Sequence, residues 1–197
     1  MSELGRLDSV VLNAGIMRPG GVTDLGVAEF DEMVGVNLTG PYAVVKAALP
    51  ALLRARGSIV SVASVAALRA ATDMGGYAAT KAALTMLAAS LAIDHGPAGL
   101  RANVVCPGWT ATEMADEEMT TFGAGRGVGT ETAYRLVTSL VPCRRPASAD
   151  EVAAVIAWLC SADASYVNGA VIPVDGGSTM VDAGTIPFDP RFTLTDP

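Results

Sequence analysis

Histidine, lysine and cysteine are all scarce in this chain, and each scarcity removes a class of chemistry. The one histidine among 197 residues, His95 in Asp94-His95-Gly96-Pro97, reads as a cation near a helix C-terminus rather than a catalytic base. With only scattered carboxylates beside it, it argues against a metal site. The three cysteines, Cys106, Cys143 and Cys160, show no CxxC spacing and cannot all pair internally. Reduced thiols in a cytoplasmic protein are expected. No run approaches the ~18 to 20 apolar residues of a membrane span, and the opening MSELGRLD lacks a signal peptide's apolar centre. A net charge of −7 argues against nucleic acid or an anionic membrane as the partner.

What is present is half apolar residues, with only 17 % charged and 21 glycines. That composition fits an α/β domain whose sheet is covered on both faces. Residues 1–197 read as a single domain, with a core over 4–178 and an extended Pro-rich tail over 179–197. Short β-branched runs at 7–12, 58–62, 100–105 and 170–174 read as strands. Helical patterns at 27–54, 77–93 and 149–159 separate them. Gly35, Gly40 and Pro41 predict an interruption of the first helix near Asn37. Residues 114–142 read as irregular and glycine-rich, a flexible lid carrying Met114, Met119 and Phe122. Alternating strands and helices imply βαβ units and a parallel sheet. Ligands of such sheets bind beyond the carboxyl ends of the strands. Asn13-Ala14-Gly15, Ser61 to Ser64, and Pro107-Gly108 with Thr110 and Thr112 all fall at those ends.

Lysine's scarcity makes one pair conspicuous. Lys81 is one of two lysines against eleven arginines, and it stands four residues after Tyr77. That step puts both on one helix face. A phenol titrates near ~10 when unperturbed, and a neighbouring positive charge favours the phenolate. An ammonium suits the purpose as a compact point charge on a long stem. The pair therefore reads as a group able to pass a proton near neutral pH. Taken singly, the other motifs keep plainer readings. Asn13-Ala14-Gly15 is a strand-to-loop turn, Asn37 caps a helix kink, Thr110 and Thr112 cap the following segment, and Ser61 competes with Ser64.

Taken in order, these residues resemble the short-chain dehydrogenase/reductase family over residues 4–178. Leu12-Asn13-Ala14-Gly15 is similar to that family's Asn-Asn-Ala-Gly strand end, with the first Asn replaced. Val36-Asn37-Leu38-Thr39-Gly40, Ser64 after the next strand, and the Tyr77/Lys81 pair follow in the family's order. The resemblance implies Asn37, Ser64, Tyr77 and Lys81 as catalytic residues. It implies Asn13, Ala14, Gly15, Tyr77, Lys81, Pro107, Gly108, Thr110 and Thr112 as residues that bind NAD or NADP. In the implied mechanism Ser64 stabilises charge on the substrate oxygen. Tyr77 exchanges the proton, Lys81 lowers the phenol's pKa and holds the nicotinamide ribose, and Asn37 holds a relay water. The implied reaction interconverts a small secondary alcohol and a ketone, in a homodimer or homotetramer built through the helices of Asn37 and Tyr77.

The family's Gly-rich pyrophosphate turn does not precede the first strand here. The expected fold is thus a Rossmann-like three-layer parallel sheet lacking the N-terminal βαβαβ half, with strand 7–12 at its edge. An inactive, oligomer-forming relative that has lost dinucleotide binding is the alternative.

Overall fold

The computed structural model describes residues 5–189. In chain order the elements are β1 (Ser9–Leu12), α1 (Val27–Val34), a π turn (Gly35–Thr39) and α2 (Gly40–Ala55), followed by β2 (Ser58–Val62), α3 (Gly75–His95) and β3 (Arg101–Pro107). Then come β4 (Thr110–Ala111), α4 (Glu113–Ala124), α5 (Thr130–Val137), β5 (Ala147–Ser148), α6 (Ala149–Cys160) and β6 (Val171–Val174), with short 3-10 turns between elements. The chain packs as two compact units, whose described parts are residues 5–107 with 150–174 and residues 108–149 with 175–189.

The first unit is built on a parallel sheet in the order β1-β2-β3-β6. Parallel neighbours need crossover connections, and α1 with α2, then α3, then α6 supply them. All five residues of β2 are buried, as are the middle five of β3, so both faces of the central strands are covered. That is why Ser-Ile-Val-Ser-Val is nearly continuous in apolar character instead of alternating. One face packs Leu12, Ile59, Ala63, Ala102, Val104 and Cys106 against Val45 and Leu52 of α2 and Ala88 and Leu91 of α3. β1 is the edge, as its position predicts, and Val11 there is 43 % exposed. On the β6 side two buried clamps fix the register. Asn103 donates to the Val167 carbonyl and accepts from the Ala170 amide, both at 2.9 Å.

Two helical stretches, Val27–Ala55 and Gly75–Ala98, reach mean hydropathies of 1.2 and 1.3. By length and composition these would also pass for membrane spans, a feature hidden from a search for uninterrupted apolar runs. Helices that cover a sheet give the same values, and α2 and α3 bury apolar residues on the strands in that way.

The second unit corrects the expectation of an irregular lid, because residues 113–137 hold the two helices α4 and α5. Glycine density misleads here. An added Cβ at Gly123 would stand 2.5 Å from the Val128 carbonyl oxygen and 3.6 Å from the Ala133 Cβ. Gly123 is thus a point of close helix approach rather than a flexible joint. Ala115, Met119, Ala133 and Tyr134 are buried together, with Trp109, Phe122 and Val137 packed against them. Met119 and Phe122 are packing residues, while Met114 is 46 % exposed.

The tail differs too, since Ser178–Met180 and Ala183–Phe188 are 3-10 turns rather than extended chain. Carboxylates cause this. Asp175 accepts from the Gly177 and Thr179 amides and the Ser178 hydroxyl, and Asp182 accepts from the Gly184 amide. Residues 1–4 and 190–197 lie outside the described residues.

Gly123→Ala is expected to destabilise the α4–α5 pair by about 1 to 3 kcal/mol, the usual cost of overpacking. It should be read as a fall in the urea midpoint, and an unchanged midpoint would show that the helices can spread.

Candidate active site

The interruption expected near Asn37 is a π turn, closed by the Gly40 amide on the Gly35 carbonyl. One extra residue in the turn swings Asn37 inward, where it is fully buried. Its Oδ1 accepts from the Ile16 amide at 2.8 Å. Its Nδ2 donates to the Ile16 carbonyl at 2.9 Å and to Thr80 Oγ1 at 3.0 Å. Both side-chain N–H groups are therefore spent on protein partners. The amide clamps the loop after β1 to α3, a task not foreseen in its sequence assignment to a water.

Lys81 reaches from α3 into the sheet, only 4 % exposed, and donates to the Val62 carbonyl at 3.0 Å. Its Nζ lies 5.6 Å from the centroid of the Tyr77 ring, within the range of a cation–π contact. The four-residue step from Tyr77 thus brings ammonium and ring together on one helix face. Behind the ammonium runs the backbone of Gly15. A Cβ there would fall 2.9 Å from Lys81 Nζ and 3.4 Å from Asn37 Oδ1, so the third position of Asn-Ala-Gly has no room for a side chain. Burial pulls the Lys81 pKa from 10.5 down to about 8, with the neighbouring Cys106 drawing it the other way. At that value roughly nine-tenths of the lysines are still charged at pH 7.

Ser64 stands just beyond β2, half-buried, and opens the 3-10 turn Val65–Ala67 by accepting from the Ala66 amide at 3.1 Å. Its own proton remains available to an incoming oxygen. Ser61 by contrast lies inside β2 and is 1 % exposed. α3 packs on the turn that Ser64 begins, and Tyr77, half-buried, lies in its first turns. Asn13 and Ala14 are exposed just past the carboxyl end of β1, and Pro107 closes β3. The first unit thus brings Gly15, Asn37, Tyr77 and Lys81 into one connected group, with Ser64 on a turn packed against the same helix.

Gly108, Thr110 and Thr112 belong to the second unit. Thr110 lies in β4 and donates to the Gly108 carbonyl at 3.1 Å, while Thr112 N-caps α4 by accepting from the Ala115 amide at 3.4 Å. The capping alternative is what Thr112 displays, whereas Thr110 bonds back to the loop before it. Among the described residues no group of His, Cys, Asp and Glu side chains converges as a metal site would require.

Four participants were not singled out from sequence: Thr80, the Ile16 peptide, the Val62 carbonyl and Cys106. Two of these are backbone groups, which carry no residue signature. Thr80 had a usable signal, since it lies within the Tyr-x-x-x-Lys step and three residues after Tyr77 on the same helix.

The family model described as Enoyl-(Acyl carrier protein) reductase matches residues 1–179. The chain is 38 % identical over 180 residues to meso-2,3-butanediol dehydrogenase of Serratia marcescens, covering 91 % of this chain and 67 % of that one. It is 45 % identical over 157 residues to Protein MoaE of Klebsiella aerogenes, covering 80 % of this chain and 61 % of that one. Among solved structures, ligand-free aldohexose dehydrogenase of Thermoplasma acidophilum superposes with a TM-score of 0.88 at 30 % identity, covering 98 % of this chain and 73 % of that one. The chain belongs to the short-chain dehydrogenase/reductase family, and its parallel sheet is that family's Rossmann fold. It spans 61 % and 67 % of the length of the two curated relatives named above.

The buried ammonium makes stability pH-dependent in a defined direction. Folding lowers the Lys81 pKa, so between about pH 8 and 10.5 the unfolded chain holds the extra proton and stability from this group rises with pH. Below pH 8 the cost of burying the charge is present in full. Relative to K81M, the natural chain should therefore gain up to about 3 kcal/mol across that window, measured by urea unfolding. A difference independent of pH would contradict a buried, charged lysine.

Proposed function

We propose that the chain carries the acid–base machinery of an NAD(P)-dependent oxidoreductase that interconverts a secondary alcohol and a ketone. The observation that supports this best is the Lys81 ammonium, held between the Val62 carbonyl, the Gly15 backbone and the Tyr77 ring. Tyr77 gives its phenolic proton to the carbonyl oxygen in reduction and takes it back in oxidation. Lys81 keeps a positive charge beside that ring at neutral pH and favours the phenolate. Ser64, whose oxygen is occupied by the Ala66 amide, turns its proton toward the substrate oxygen and stabilises developing charge. Asn37 fixes the loop that backs the ammonium. Its second Oδ1 lone pair and its π-turn carbonyl are what a relay water would use.

The Lys81 ammonium, backed by the side-chain-free Gly15, is chemically suited to the ribose hydroxyls of a nicotinamide nucleotide. Asn13, Ala14, Gly15, Tyr77, Lys81 and Pro107 are the residues we assign to hold it. For Gly108, Thr110 and Thr112 the assignment rests on family resemblance alone. Bound NAD or NADP supplies the hydride acceptor or donor. Relatives named for butanediol and aldohexose support a small hydroxylated substrate. Cys106, Cys143 and Cys160 are in no disulfide, which supports a reducing, cytoplasmic setting. Tyr42, Met86 and Ile93, each more than half exposed on α2 and α3, support assembly into a dimer or tetramer, which sedimentation should find; a monomer would contradict it.

The experiment is a panel of secondary alcohols and ketones with each dinucleotide, followed by the absorbance of the reduced nicotinamide. Y77F and K81M are expected to lose at least about a thousandfold in kcat/KM and S64A about a hundredfold. Y77F retaining more than about a tenth of the activity would remove the proposed proton donor. No calorimetric binding of either dinucleotide would favour the inactive, oligomer-forming alternative.

A further inference from the structure

Thr80 is the residue immediately before Lys81, and it is 2 % exposed. Its hydroxyl donates to the Tyr77 carbonyl at 2.8 Å and accepts from Asn37 Nδ2 at 3.0 Å. The directions of these bonds are forced. The Ile16 amide needs an acceptor and the Ile16 carbonyl needs a donor, which fixes which end of the Asn37 amide is oxygen. The remaining Nδ2 proton then points at Thr80, and the single hydroxyl proton of Thr80 is left for Tyr77. A bond from a helical threonine to the carbonyl three residues back is ordinary, and Thr85 makes one to Ala82 at 2.7 Å. What distinguishes Thr80 is the second partner, which arrives from another helix and is itself fully buried.

The Tyr77 carbonyl is also the one that the Lys81 amide reaches in a regular α-helix. One hydroxyl therefore ties the turn bearing both Tyr77 and Lys81 to the π turn, and through Asn37 to the loop whose Gly15 backs the ammonium. We propose that Thr80 is a positioning residue whose hydroxyl transmits the Asn37 clamp to the Tyr77–Lys81 turn and keeps ring and ammonium in register. The proposal rests on the acid–base reading of Tyr77 and Lys81. Valine at this position would keep the shape, remove the link, and leave a buried Asn37 N–H without its acceptor.

The test compares the chain with T80V and T80S. The Tyr77 phenol is titrated by its phenolate absorbance, taking each protein's difference from its Y77F counterpart, alongside kcat and KM for an accepted alcohol. T80V is expected to raise the phenol's pKa by about one unit. It should also lower kcat about tenfold with KM changed less than about twofold. T80S, which keeps the hydroxyl, should restore both values. Where T80V does not fold, T80A takes its place. A folded hydroxyl-free variant that shifts the phenol by less than about 0.3 units overturns the proposal, as does T80S behaving like T80V. If the natural chain shows no turnover with any substrate, the oxidoreductase reading fails, while the phenol titration still decides the role of Thr80.

Discussion

A lysine ammonium taken out of water at the carboxyl end of a parallel sheet is the constraint around which the first unit is arranged. Lys81 Nζ is bound by the Val62 carbonyl at 3.0 Å, an acceptor that only a strand end can offer at that depth. Moving an ion inside costs several kcal/mol even after relaxation, and here the cost appears as the fall of the pKa to about 8. The charge survives at neutral pH because the fall stops there. Full exposure would have wasted its field on solvent. An arginine's broad guanidinium does not suit the space between the Gly15 backbone and the Tyr77 ring. In a chain that otherwise prefers arginine, that explains the lysine.

Several features far apart in sequence serve that one group. Gly15 lacks a Cβ because the ammonium stands where one would point. The π turn brings Asn37 inward to hold the Ile16 peptide, so that the Gly15 backbone stays in place. Thr80 connects this clamp to the helix of the lysine itself. β2 supplies the Val62 carbonyl and, two residues on, Ser64. The polar interior is thus a short chain of satisfied hydrogen bonds rather than a set of independent residues, and such networks fix geometry better than apolar packing alone.

Much of this was legible in the sequence because helices and strands repeat simply. The Tyr77-to-Lys81 step fixed a shared helix face. Short β-branched runs located the four strands of the main sheet, and Gly35, Gly40 and Pro41 marked the break at Asn37. The misreadings have physical causes. Glycines at 123, 125, 127 and 129 suggested a lid, but at Gly123 the missing side chain admits a neighbouring carbonyl and two helices form. The tail looked extended because proline is common there, whereas Asp175 and Asp182 fold residues 178–188 into turns. Backbone groups such as the Val62 carbonyl and the Ile16 peptide have no signature in a sequence. The function of Thr80 was hidden because its decisive partner lies 43 residues away.

The scarcity of lysine also makes the burial of Lys81 directly measurable. With lysine side chains labelled for NMR, the chain gives two ammonium signals, from Lys46 and Lys81, and K46R leaves one. If Lys81 is buried against the Val62 carbonyl as described, that signal titrates with a midpoint at about 8. A midpoint at the ordinary 10.5 would mean a solvated lysine, and the account of this site would be wrong.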